Sequence, residues 1–126
     1  AEERGLAERI ASRIGPQTLV AAGKTDLGQL AALMGRAALV VGVDSGPMHL
    51  AVAMGTPTIH LYGPADVCVF GPWGESERHV ILTSTMDCIP CQKLDWPLEE
   101  LEEHPCVKLI PEQEVLAAAR KLLRET

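Results

Sequence analysis

At 126 residues the chain has room for one domain with a modest core. Hydrophobic residues make up 47% and aromatic residues only 3%, so the core is expected to be Leu, Val, Ile and Ala, which suits small helices on a parallel sheet. A net charge of −6 argues against a general nucleic-acid surface, because phosphate backbones recruit Lys and Arg.

No apolar run approaches a membrane-spanning length and no secretory signal opens the sequence; Ala1 reads as a boundary rather than a biological start. The four cysteines, Cys68, Cys88, Cys91 and Cys106, accompany patterns of a self-sufficient core. They are therefore expected as thiols in a reducing cytosol rather than as a disulfide scaffold.

Residues 2–14 read as a helix: Leu6, Ile10 and Ile14 recur every fourth position with charges between them. Gly15-Pro16 ends it. Residues 18–22 predict a short strand, and Gly23-Lys24-Thr25 a turn. Asp26 and Gln29 have the spacing of a capping box for a second helix with Leu27, Leu30, Ala31 and Met34 on its apolar face. Residues 37–43, with three valines and no Pro, read as a buried parallel strand. Asp44-Ser45-Gly46-Pro47-Met48-His49 then opens a helix that stops at Gly55, with Pro47 suited to its first position. Residues 58–62 are the next strand, closed by Gly63-Pro64. The order predicts an α/β, Rossmann-like parallel sheet flanked by helices.

From residue 65 to 111 Pro72, Pro90, Pro97 and Pro105 punctuate the chain, and only residues 79–82 read as a strand. So long a stretch with little regular structure often marks functional loops. A last helix begins near Pro111. Glu112 and Glu114 sit at its start and Arg120, Lys121 and Arg124 at its end, matching the helix dipole, with Val115, Ala118, Ala119 and Leu122 as its buried stripe.

The segment 44–49 is the candidate site. It lies at the carboxyl end of a strand and the amino end of a helix, where free N–H groups and the helix dipole favour a phosphate. Ser45 and Gly46 would supply N–H groups, although Ser45 also suits a simple N-cap. Asp44, a carboxylate beside an anion site, is suited to sugar hydroxyls rather than to phosphate. His49 reads either as a ligand contact or as a satisfied, partly buried histidine. Thr25, in the preceding turn, could reach a nucleotide or merely help start its helix, and Lys24 could offer charge or be solvated. A serine hydrolase is excluded, because its elbow needs Gly at positions that hold Val43 and Pro47, and no Walker A loop is present.

Asp44-Ser45-Gly46-Pro47-Met48-His49-Leu50-Ala51-Val52-Ala53-Met54-Gly55-Thr56-Pro57, followed by Leu61-Tyr62-Gly63-Pro64, resembles the signature of glycosyltransferase family 9, the lipopolysaccharide heptosyltransferases. That pattern is Asp-Ser/Thr-Gly-x-x-His-x-Ala-x-Ala-x-x-x-Pro and then Phe/Tyr-Gly-Pro. Ala22-Gly23-Lys24-Thr25-Asp26-Leu27, Cys88-Ile89-Pro90-Cys91 and His104-Pro105-Cys106 match in the same order, so the resemblance runs over almost the whole chain.

The resemblance implies the C-terminal half of a GT-B type enzyme: residues 1–126 would be a nucleotide-sugar donor-binding domain without its N-terminal acceptor domain. It implies an inverting, metal-independent transferase moving heptose from ADP-heptose to the lipopolysaccharide inner core. No separate cofactor is implied, and no metal; the chain has no Asp-x-Asp motif. Asp44 would face the donor heptose, Ser45, Gly46 and His49 the diphosphate, Thr25 the adenine, and Glu3 (or Glu2) the ribose. The catalytic base would belong to the missing domain, as would the surface for a lipid A-core acceptor. The whole enzyme would be cytoplasmic, with peripheral association at the inner face of the inner membrane. Tyr62-Gly63-Pro64 and Gly71-Pro72 resemble family loops, and their Gly and Pro chiefly fix turns.

A reading from another class rests on Cys88, Cys91, His104 and Cys106: a non-catalytic nucleotide- or zinc-binding module, since borderline-soft zinc suits thiolate and imidazole.

Overall fold

The computed structural model describes residues 2–75, 77–93, 95–100 and 102–124, leaving aside the side chains of Glu2, Glu3 and Leu98. Two compact units divide the chain, residues 1–32 and 33–126.

The first unit holds helix α1 (Glu2–Ile14) and most of helix α2 (Leu27–Gly35). The expected capping box is formed in full. Gln29 N–H donates to Asp26 Oδ1 at 2.8 Å, and Asp26 N–H donates back to Gln29 Oε1 at 3.1 Å. The strand expected at residues 18–22 is not formed. Local turns take its terminal groups instead: Thr18 N–H bonds the Gly15 carbonyl and Lys24 N–H bonds the Ala21 carbonyl. An extended segment becomes a strand only when a neighbouring ladder completes its backbone groups, and this one stays irregular with Leu19 exposed.

The second unit is a three-stranded parallel sheet in the order β1 (Val40–Val43), β2 (Thr58–Tyr62), β3 (His79–Thr83). Helix α3 (Gly46–Ala53) connects β1 to β2 and packs on both, while helix α5 (Glu112–Arg124) packs on β2 and β3. The register sets Gly42 opposite His60 and Thr58 opposite His79.

β1 corrects the expectation of a buried strand. It lies at the edge of the sheet, and Val41 and Val43 are about half exposed on its open side. Its other face is tight: a Cβ at Gly42 would stand 2.7 Å from Met48 Sδ, so the missing side chain lets α3 approach the sheet.

The core also departs from the expected aliphatic set. Met48, Ala51, Ile59 and Tyr62 are buried, but so are Thr56, Thr58, His60, His79 and Ser84. His79 lies on β3, and Thr58 and His60 stand at alternate positions of central β2, on the face that α3 covers. Opposite it, Leu61 lines a cavity of about 450 Å³ with Ile110, Val115 and Leu116.

The proline-punctuated segment gains two short elements that the pattern did not reveal. Helix α4 (Val67–Phe70) is capped by the Asp66 carboxylate, which accepts from Cys68 N–H at 2.8 Å, and a 3₁₀ turn covers Leu98–Glu100. Trp96 stacks on His104 and lies beneath Lys93 Nζ, 3.5 Å from the ring centre.

Candidate functional site

The start of α3 is open. Ser45 occupies the N-cap position with extended backbone, yet its side chain makes no capping bond; its hydroxyl donates to the Val43 carbonyl at 3.1 Å. The simple-cap reading of Ser45 therefore fails. Met48 and His49 N–H groups bond the Ser45 carbonyl, and Pro47 has no N–H to give. Of the first N–H groups those of Ser45 and Gly46 remain, with no acceptor among the described residues. A Cβ built on Gly46 meets nothing within 4 Å, so this corner faces open space.

Two side chains flank the corner. Asp44, at the carboxyl end of β1, places Oδ1 3.6 Å from Nε2 of His49, one turn into α3. The His49 side chain is 43% exposed and that of Asp44 24%, so both can meet a ligand. An anion at the helix start would gain from the dipole and from a protonated His49, while Asp44 repels it and accepts from hydroxyls. Asp44, Ser45, Gly46 and His49 thus share one corner of the second unit.

Thr25 lies in the first unit, half-buried, directly before the capping residue Asp26. Because Asp26 does the capping, Thr25 is not needed for that. Glu3 lies in α1, and its side chain is outside the described residues.

Beneath the corner runs a column of buried polar groups that sequence reasoning missed. Thr58 Oγ1 is 2.8 Å from His60 Nε2 and 2.8 Å from His79 Nδ1. The His60 ring centre lies 6.4 Å from that of His49 and 6.1 Å from that of Tyr62. The Tyr62 hydroxyl donates to the Phe70 carbonyl and so ties α4 to the sheet. Burial holds His60 down to about 4; His49 and His79 add to the effect, and Asp44 opposes it. Burial also lowers His79, helped by Arg78 and opposed by Glu75. Tyr62 is pushed up to about 12, by burial first and then by the Asp44 carboxylate. The available signal was three hydrogen-bonding residues at alternate positions of a central strand.

The structure does not gather the cysteine set. Cys68, Cys88 and Cys91 are exposed and Cys106 is buried, all as free thiols. Among the described residues no three His, Cys, Asp or Glu side chains converge as a metal site. No helix among them is long and apolar enough to cross a membrane. Beside His49, Val52, Ala53 and the exposed Trp73 line a cavity of about 350 Å³.

Residues 1–102 match the family described as glycosyltransferase family 9 (heptosyltransferase). The chain is 36% identical over 104 residues to lipopolysaccharide heptosyltransferase 3 of Escherichia coli K12, covering 82% of this chain and 28% of that protein. It is 34% identical over 103 residues to lipopolysaccharide heptosyltransferase 1 of Pseudomonas aeruginosa, again covering 82% of this chain and 28% of the relative. The crystal structure of the glycosyl transferase family 9 protein from Veillonella parvula DSM 2008 superposes with a TM-score of 0.78 at 30% identity, covering 99% of this chain and 35% of that one. The chain thus spans 28% of the length of those two curated relatives. With the signature folded into a strand-to-helix corner of a parallel α/β sheet, the chain belongs to glycosyltransferase family 9, the heptosyltransferase family.

Proposed function

We propose that this chain is the donor-nucleotide domain of a heptosyltransferase, binding ADP-heptose for transfer to a lipopolysaccharide core. The carrying observation is the uncapped start of α3, flanked by Asp44 and His49, in a family 9 chain. The N–H groups of Ser45 and Gly46 receive the diphosphate together with His49, and Asp44 receives sugar hydroxyls. Thr25 borders the adenine and Glu3 the ribose. As the sugar leaves, negative charge grows on the nucleoside diphosphate. N–H groups and a helix dipole already aimed at it stabilise that charge without reorganising, so the reaction proceeds without a metal.

The general base and the lipid A-core surface belong to an N-terminal domain outside these 126 residues, giving a GT-B enzyme that inverts the anomeric carbon. That enzyme works in the cytoplasm, where nucleotide sugars are made, at the inner face of the membrane that carries its acceptor.

Calorimetry on the chain with ADP and with ADP-heptose, in chelator and in zinc, tests the reading. Binding of both ligands that chelator leaves unchanged is the expected result. Stoichiometric zinc without affinity for either would favour the module built on Cys88, Cys91, His104 and Cys106. The chain alone should not transfer heptose to a lipid A-type acceptor, and turnover would refute the placement of the base elsewhere.

A further inference from the structure

Central β2 buries Thr58 and His60 completely, and His79 of β3 almost so, where a parallel sheet ordinarily places Val, Ile or Leu. Such groups destabilise a core unless each finds a partner. Thr58 has two, but His60 Nδ1 has none among the described residues.

The Thr58 hydroxyl has one proton to share between two neutral imidazoles. When Thr58 donates to His79, His60 Nε2–H donates to Thr58. When Thr58 donates to His60, His79 Nδ1–H donates to Thr58. Either way the His60 ring is fixed in one orientation by a 2.8 Å contact on its Nε2 side. The groups around it are His49 from α3, with ring centres 6.4 Å apart, Tyr62 from β2, at 6.1 Å, and Asp44 from the β1–α3 loop, whose charge acts on it. From β3 the facing group is His79, itself influenced by Arg78 and Glu75.

We propose that His60 is a positioning residue for the candidate donor site: anchored through Thr58, its buried ring supports His49 in its place beside Asp44. The effect on ligand binding rests on reading His49 as a diphosphate contact; the support of His49 rests on geometry alone. Chemistry explains why an imidazole suits the position. A lysine there would repel a proton on His49, whereas burial keeps His60 neutral at physiological pH. A leucine would fill space but could not be held by Thr58.

Imidazole NMR of the chain, with calorimetry using ADP as the probe, tests this on His60→Leu, His60→Gln and Thr58→Val. His60→Leu should displace the His49 titration midpoint in ligand-free protein and weaken ADP binding about tenfold, the loss expected when a charge-assisted contact is misplaced. His60→Gln puts an amide near the Nε2 position, keeps Thr58 engaged, and should largely restore both. Thr58→Val should move His49 in the same direction as His60→Leu. A merely structural role would lower melting temperature without moving His49 in variants that stay folded. An unchanged His49 titration in folded Thr58→Val, or no rescue by Gln of a His60→Leu defect, overturns the proposal. Should wild type fail to bind ADP, the donor-site reading falls while the His49 titration still decides this one.

Discussion

Asp44 Oδ1 and His49 Nε2 stand 3.6 Å apart across the open start of α3, the acid on the strand side and the imidazole on the helix. Opposite charge preferences on the two sides of one corner divide a ligand that has both a diphosphate and hydroxyls. Substitutions should therefore separate by role. Gly46→Pro removes an N–H aimed at the diphosphate, a loss on the order of 1.5–3 kcal/mol, or roughly ten- to hundredfold in ADP affinity. Gly46→Ala keeps the N–H and adds a carbon that meets nothing within 4 Å, so it controls for folding. Asp44→Ala should leave ADP affinity nearly unchanged while turnover of the sugar donor by the full-length enzyme falls sharply. Calorimetry beside donor kinetics decides; equal loss of ADP affinity in Gly46→Pro and Asp44→Ala, or none in either, would misplace the phosphate.

The buried histidines give stability a pH dependence of definite sign. His60 titrates near 4 in the folded chain and near 6.5 when unfolded. Between those values the unfolded chain binds the extra proton, so stability falls as pH falls. The contribution is fully present above 6.5 and lost by about 4; a shift of that size corresponds to about 3 kcal/mol. His79, lowered in the same direction, steepens the slope. Urea unfolding at a series of pH values from neutrality downward should show the decline, and His60→Leu should flatten it. A flat profile for the wild type would mean that His60 does not stay neutral in the fold.

Legibility in the sequence follows the range of the interaction that makes each feature. Signals completed within one turn are readable: the Asp26–Gln29 box, Pro47 at a helix start, and the charge gradient from Glu112 to Arg124. Features that depend on distant neighbours are not. Residues 18–22 have strand composition but find no ladder, and Val41 looks buried until β1 proves to be an edge. At the candidate site the motif gives the corner formed by Asp44, Ser45, Gly46 and His49. The column below it needs β2 and β3 in register, since Thr58 and His79 are 21 residues apart in the chain. Helix α4, four residues long, is too short for a helical period to register.

The capping box offers a local test independent of the site. Asp26→Ala removes the acceptor for Gln29 N–H and should destabilise α2 by about 1 kcal/mol. Gln29→Ala removes only the reciprocal bond, at 3.1 Å, and should cost less. Denaturant unfolding followed by circular dichroism would rank the two, and a larger loss for Gln29→Ala would contradict the geometry.

Two glycines should differ in tolerance for a reason visible only in three dimensions. At Gly42 an added Cβ would stand 2.7 Å from Met48 Sδ and 3.2 Å from its Cγ, both on a side chain able to shift. Overpacking of this kind costs about 1–3 kcal/mol, and pushing α3 outward would also disturb His49. At Gly71 the added Cβ would lie 2.4 Å from the Val67 carbonyl oxygen, a backbone atom that already accepts from Gly71 N–H at 2.8 Å. Relief there requires breaking the end of α4, and with it the Phe70 carbonyl that Tyr62 holds. Gly71→Ala should thus lose more stability than Gly42→Ala. Shortening Met48 in the double variant Gly42→Ala/Met48→Ala should recover part of the Gly42 penalty, because the obstacle is a side chain. No side-chain deletion should rescue Gly71→Ala, and urea midpoints for the four proteins would overturn the assignment if Gly42→Ala were the worse single change.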